Sequence, residues 1–170
     1  NLKTICFDFS AYGFNVVATN GCICGVYHIP HEGIPTEFIG KNVLIPVEAF
    51  DKILGYTATI TIKENTDIEI QYDVDCHPVE TKQKYGYVQY KNVFPDKIAD
   101  KGVTQVDLKY WSLVEKAFKH LKLETNHTKT FFTGNDSLVV IRNLKDDNFI
   151  AIIAYLVSDV VEYTKPNFLN

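Results

Sequence analysis

The chain has 170 residues, a net charge of -4, a hydrophobic fraction of 46% and an aromatic fraction of 13%. That length suits one domain, or one and a half small ones, and buries a core without staples. The composition excludes a disordered chain, and no apolar run approaches the ~20 residues of a helical membrane span. The acidic balance argues against a protein that coats nucleic acid nonspecifically, while leaving room for a local basic surface. Four cysteines, unevenly placed, do not read as a disulfide scaffold. With no signal peptide at the start, a reducing, cytoplasmic setting is expected. The chain lacks Met and opens on Asn1, which leaves a trimmed or truncated start open.

In chain order, Leu2 to Phe9 alternates as a strand does, with Ile5, Phe7 and Phe9 on its apolar side. A turn around Gly13 leads to a second strand, Phe14 to Thr19. Asn20-Gly21 is a tight-turn signal, and Cys22 to Ile29 is a third strand. After a loop marked by Pro30, Gly33 and Pro35, a short strand is expected at Val43 to Ile45. A helix follows over Val47 to Leu54, with Pro46 at its first position and Gly55 at its end. Strands are expected at Ala58 to Lys63, Asp67 to Val74 and Gly86 to Tyr90, with Asp75 to Lys84 a polar loop and Phe94-Pro95-Asp96 a turn. A short strand near Thr104 to Val106 precedes an amphipathic helix from Asp107 to Leu121. Strands at Thr130 to Thr133, Leu138 to Arg142 and Phe149 to Val157 close the pattern, and Glu162 to Asn170 is a polar, mobile tail. The order is βββ, then β-α-βββ twice, a repeat of elements without a repeat of sequence.

The stretch VVATNGCICGVYHIPH, Val16 to His31, holds Cys22, Cys24, His28 and His31 within ten residues. As a metal knuckle it is poorly spaced. Cys-x-Cys in one strand splays its thiols about 7 Å apart, whereas a tetrahedral zinc site favours a longer Cys spacing with a second pair elsewhere. The hairpin reading is preferred, with Cys22 and Cys24 as small hydrophobes, and no metal or cofactor is expected. No nucleophile elbow, zincin helix or phosphate-binding glycine loop occurs. Cys76-His77 point to opposite faces of a strand, and Asp73, Asp75, Asp146 and Asp147 read as polar loop residues. No catalytic residue is assigned, and the chain is not read as an enzyme.

Several segments together carry a family resemblance. Val17-Ala18-Thr19-Asn20-Gly21 is similar to the VATDG hairpin of the bacterial DNA polymerase III beta subunit, the sliding clamp. Val43-Leu44-Ile45-Pro46, followed by Ala49 to Leu54, resembles that family's strand-to-helix passage in the middle domain. Phe94-Pro95-Asp96 resembles its FPDY turn, and Asp136 to Val157 its closing hairpin. These segments succeed one another in family order. Two departures are plain. The family's hairpin continues HRL where this chain has Cys22-Ile23-Cys24, and Ala154-Tyr155-Leu156 stands in place of the final Met-Pro-Met.

The resemblance implies a reduced or truncated clamp of α+β fold, with repeated β-α-βββ units and two helices packed on antiparallel sheets. It divides the chain into a clamp-like domain over 1–100 lacking its first strand and helix, a clamp-like half domain over 101–160, and a tail over 161–170. It also implies two surfaces. One is a helical wall whose lysines touch phosphates of double-stranded DNA without reading bases: Lys109, Lys116, Lys119 and Lys122, with Glu115 interrupting the row. The other is an apolar pocket for a short peptide of a polymerase or other replication protein: Leu2, Thr19, Gly21, Cys22, Pro95, Leu138, Ile152, Ala154 and Leu156. Two functions are carried forward: a DNA replication processivity factor, and a clamp-shaped interaction module that does not encircle DNA. A homo-oligomer is left open.

Overall fold

The computed structural model describes residues 3–51, 57–63, 67–72, 75–79, 87, 89–95, 106–124, 127–132 and 138–154. Its strands are β1 Thr4–Ser10, β2 Gly13–Thr19, β3 Ile23–Pro30, β4 Asn42–Pro46, β5 Ala58–Ile62, β6 Ile68–Tyr72, β7 Asp75–Val79, β8 Thr128–Phe132, β9 Leu138–Asn143 and β10 Phe149–Ala154. Its helices are α1 Glu48–Asp51 and α2 Leu108–His120, and a 3₁₀ turn spans Tyr90–Val93. The class is α+β. A seven-stranded antiparallel sheet runs β4-β1-β2-β3-β10-β9-β8, and a three-stranded one runs β5-β6-β7. Among the described residues no helix is long and apolar enough to cross a membrane.

Two meanders, β1-β2-β3 and β8-β9-β10, join edge to edge where β3 pairs with β10, Cys24 lying opposite Ile152. The boundary expected near residue 100 falls among residues 96–105, outside the described ones. Thr104 and Gln105 of the expected short strand lie outside them too, as does the tail. Period-two alternation then gives the large sheet two different faces. On the inner face, Val139, Ile141, Phe149, Ala151 and Ile153 pack under α2, while Phe9, Val43 and Ile45 pack against Ile68 and Ile70 of the small sheet and Phe50 of α1. On the outer face, Cys6, Val17, Cys24, Val26, Leu44, Val140 and Ile152 form a third cluster, covered by Tyr87, Tyr90 and Phe94.

Helix α2 follows from its sequence. Tyr110, Val114 and Phe118 recur at every fourth residue and are its buried positions. Asp107 caps the start, its carboxylate accepting from the Lys109 amide at 2.9 Å. The end closes in a Schellman arrangement: the Leu123 amide donates to the Phe118 carbonyl at 2.8 Å and the Lys122 amide to the Lys119 carbonyl at 3.2 Å. Phe118 meets Phe149 edge to face at 4.8 Å. At the β1–β2 turn, Gly13 has φ of 135°, and a Cβ there would sit 2.2 Å from the Ile29 carbonyl oxygen.

Three expectations are corrected. Pro46 ends β4 opposite Thr4 rather than opening the helix. It is tolerated because β4 is an edge strand, where a missing N–H breaks no ladder. The polar run from Asp75 contains β7, which pairs with β6 at the edge of the small sheet, so Pro78 again lies on an edge. Tyr90 opens a 3₁₀ turn instead of ending a strand.

Candidate functional site

The β2–β3 turn is built by side-chain capping. Asn20 Oδ1 accepts from the amides of Cys22 and Ile23, each at 3.0 Å. Thr19 Oγ1 donates to the Ile23 carbonyl at 2.8 Å and accepts from the Gly21 amide at 3.1 Å. Gly21 supplies the left-handed residue, φ 91°. This holds Thr19, Gly21 and Cys22 at the rim of an outer-face pocket of about 120 Å³, which Ile23, Cys24, Leu138, Ile152, Ala154, Tyr90 and Val93 complete. The Ala154 amide donates to the Cys22 carbonyl at 2.8 Å, tying the turn to the last described strand.

Six of the residues expected at the peptide pocket therefore line one cavity: Thr19, Gly21, Cys22, Leu138, Ile152 and Ala154. Pro95 is not among its lining residues, and Leu2 and Leu156 lie outside the described residues. Cys22 is exposed in the turn rather than packed as a hydrophobe, whereas Cys24 is buried in the outer-face cluster. Sequence reasoning left Ile23, Cys24, Tyr90 and Val93 out of the pocket. Ile23 and Cys24 were within reach, since Ile23 adjoins the turn and Cys24 lies opposite Thr19 and Ile152 in the sheet. Tyr90 and Val93 had no signal, because a 3₁₀ turn folded over the sheet leaves no periodicity.

Burial dominates the chemistry of this face. It pushes the Cys24 thiol up to about 11 and, with the Asp8 carboxylate adding to it, the Cys6 thiol to about 12. Tyr90 is raised by burial first and by its hydrogen bond to Asp8 second. These thiols are protonated at neutral pH and poor nucleophiles. Among the described residues no three His, Cys, Asp or Glu side chains converge as metal ligands. His28 is instead engaged with Asn15, Nδ1 to Oδ1 at 2.8 Å. Asp147 pairs with Arg142 at 2.8 Å, Asp146 accepts from the Asn148 amide at 2.9 Å, and Asp73 lies outside the described residues.

The four lysines of the expected basic row are all exposed, on or just beyond α2 and away from its buried face. Lys109 pairs with Asp107 and Lys119 with Glu115, both at 2.7 Å. Lys122 stands past the helix end at φ 57°, a left-handed position that favours glycine. Leu108 and Leu113 are also exposed on this helix.

The fold is similar to bacterial clamp subunits of known structure. The DNA polymerase III beta subunit of Thermotoga maritima matches with a TM-score of 0.66 at 14% identity, covering 93% of this chain and 58% of that one. The Helicobacter pylori beta clamp, in complex with 3,4-difluorobenzamide, matches at 0.65 and 9% identity, covering 92% and 58%. The Borrelia burgdorferi subunit, in complex with a natural product, matches at 0.61 and 12% identity, covering 92% and 56%. The chain thus spans 56–58% of the length of these clamp chains. At such identities the likeness establishes a clamp-like fold. No family model and no curated protein matches the sequence.

Proposed function

We propose that the protein is a non-enzymatic, sliding-clamp-like replication factor that holds a polymerase or other replication protein by a short peptide and lies against double-stranded DNA through α2. The observation that carries this reading is the outer-face pocket. Residues from β2, the β2–β3 turn, β9 and β10 meet around about 120 Å³ of apolar space, while the lysines sit on the helix that covers the opposite face of the same sheet. One face suits an apolar peptide anchor and the other diffuse phosphate contact.

Fluorescence anisotropy with a labelled, apolar-tipped peptide tests the pocket. Micromolar binding is expected, weakened at least about tenfold by Ala154→Trp, which fills the cavity mouth. Absence of binding to the unmodified protein overturns the peptide role.

A second reading, an interaction module that does not encircle DNA, is favoured by one observation. Lys109 and Lys119 are already paired with Asp107 and Glu115, which reduces the free positive charge of α2. Duplex binding measured across a salt series separates the two. A log–log slope of about -2 to -4 fits several phosphate contacts, and no binding at low salt leaves the module reading.

A further inference from the structure

A second cavity, of about 430 Å³, opens on the same outer face at the far end of the β1–β2 hairpin. Sheet register explains its polarity. Asn42, Asp8, Asn15 and His28 lie opposite one another across β4, β1, β2 and β3. This polar row adjoins the apolar row of Leu44, Cys6, Val17 and Val26. Asp8 is 6% exposed, and a buried carboxylate needs a cation or strong donors. Among the described residues, both of its side-chain contacts go to one oxygen. Tyr90 donates its hydroxyl to Oδ2 at 2.5 Å, and Lys91 places Nζ 2.7 Å from the same atom. Among the described residues, Oδ1 has no partner. Tyr12, 83% exposed at the hairpin tip, Tyr87 and Tyr90 also line the cavity.

We infer that this cavity is a guanidinium subsite, which takes an arginine side chain from the same partner segment whose apolar residue fills the smaller pocket. The inference rests on the peptide reading of that pocket. Three observations carry it. Tyr90 lines both cavities, so one extended segment crossing the 3₁₀ turn reaches both. Lys91 already occupies the site as a tethered cation, 5.6 Å from the Tyr90 ring centroid, on a side chain 68% exposed and free to swing out. Its ammonium engages one carboxylate oxygen where a planar guanidinium engages both and stacks on phenol rings. An anionic ligand would instead meet the Asp8 carboxylate. Lys91 is therefore a built-in competitor, and its removal strengthens arginine binding.

The test uses nine labelled peptides with the same apolar anchor, carrying Arg, Lys or Gln two, four or six residues away, against the unmodified chain, Lys91→Gln and Asp8→Asn. The Arg peptide is expected to bind Lys91→Gln about tenfold tighter than the Gln peptide does, at one placement or more. That preference is expected to be smaller in the unmodified chain and absent in Asp8→Asn, with the Gln peptide equal on all three proteins. An Arg preference that survives Asp8→Asn, or none in Lys91→Gln, overturns the subsite. If no peptide binds, the peptide reading fails by itself, and ethylguanidinium chloride titrated into ¹⁵N-labelled protein decides the cavity. Saturable shifts at the Asp8, Tyr12 and Lys91 amides that sodium chloride does not reproduce retain a guanidinium site; equal responses to both salts overturn it.

Discussion

The two faces of the seven-stranded sheet are made by the same strands yet differ in how they are closed. The inner face is covered by α2 at one end, where a cavity of about 300 Å³ opens between Leu113 and Ala117 of the helix and Thr19 and Ile23 of the sheet, and by the small sheet with α1 at the other. The outer face is covered, among the described residues, by Tyr87, Tyr90 and Phe94, and it retains two cavities and a buried carboxylate. A helix with an apolar stripe buries three of its side chains, Tyr110, Val114 and Phe118, against the sheet and leaves a gap beside Leu113 and Ala117. A 3₁₀ turn contributes a few side chains and leaves gaps between them. The buried Asp8 carboxylate lies on the outer face, and the larger apolar helix contact on the inner one.

The largest test of that contrast is Phe118→Ala, which empties the space beside Phe149. A loss of about 3–5 kcal/mol is expected, read as a lower urea midpoint. A loss below about 1 kcal/mol would mean that Phe118 does not anchor α2 to the sheet.

Alkali should act mainly on the outer face. Cys6 and Cys24 are raised from 9.0 to about 12 and about 11, and Tyr87 and Tyr90 are also raised, all chiefly by burial. Above pH 9 the unfolded chain releases thiol protons that the folded chain retains, so folding stability falls as pH rises from about 9 and levels off once the folded thiols titrate. Urea midpoints measured from about pH 8 to about pH 10.5 should decline, and a flat profile would show these groups to be solvated.

Tyr90→Phe sharpens the comparison further, because it deletes one hydroxyl that donates to Asp8 at 2.5 Å and accepts from Asn15 Nδ2 at 3.0 Å. A loss of about 1–3 kcal/mol is expected. An effect near zero would mean that Lys91 alone satisfies the carboxylate. The smallest change has the opposite sign: Lys122→Gly should stabilise by up to about 1 kcal/mol in thermal melts, while flattening the salt dependence of any DNA binding.

The strands, their alternation and α2 were legible because period two and period 3.6 are written into neighbouring residues. Phe7 and Phe9 share the inner face as their spacing implies, and α2 departs from its expected limits by one residue at each end. Edge strands misled the reading at Pro46 and Asp75, since a proline marks a break only where its missing N–H would be needed. Most of the small pocket was reachable through resemblance, because its residues cluster at one turn and two strand ends. The arginine cavity was not. Asp8 looks like the polar half of an alternating strand, and nothing local tells that Tyr90 and Lys91, far along the chain, fold over it. Local spacing determined which residues share a face. Only long-range packing decided where each face was filled and where it was left open, because cavities arise where distant segments fail to fill the space between them.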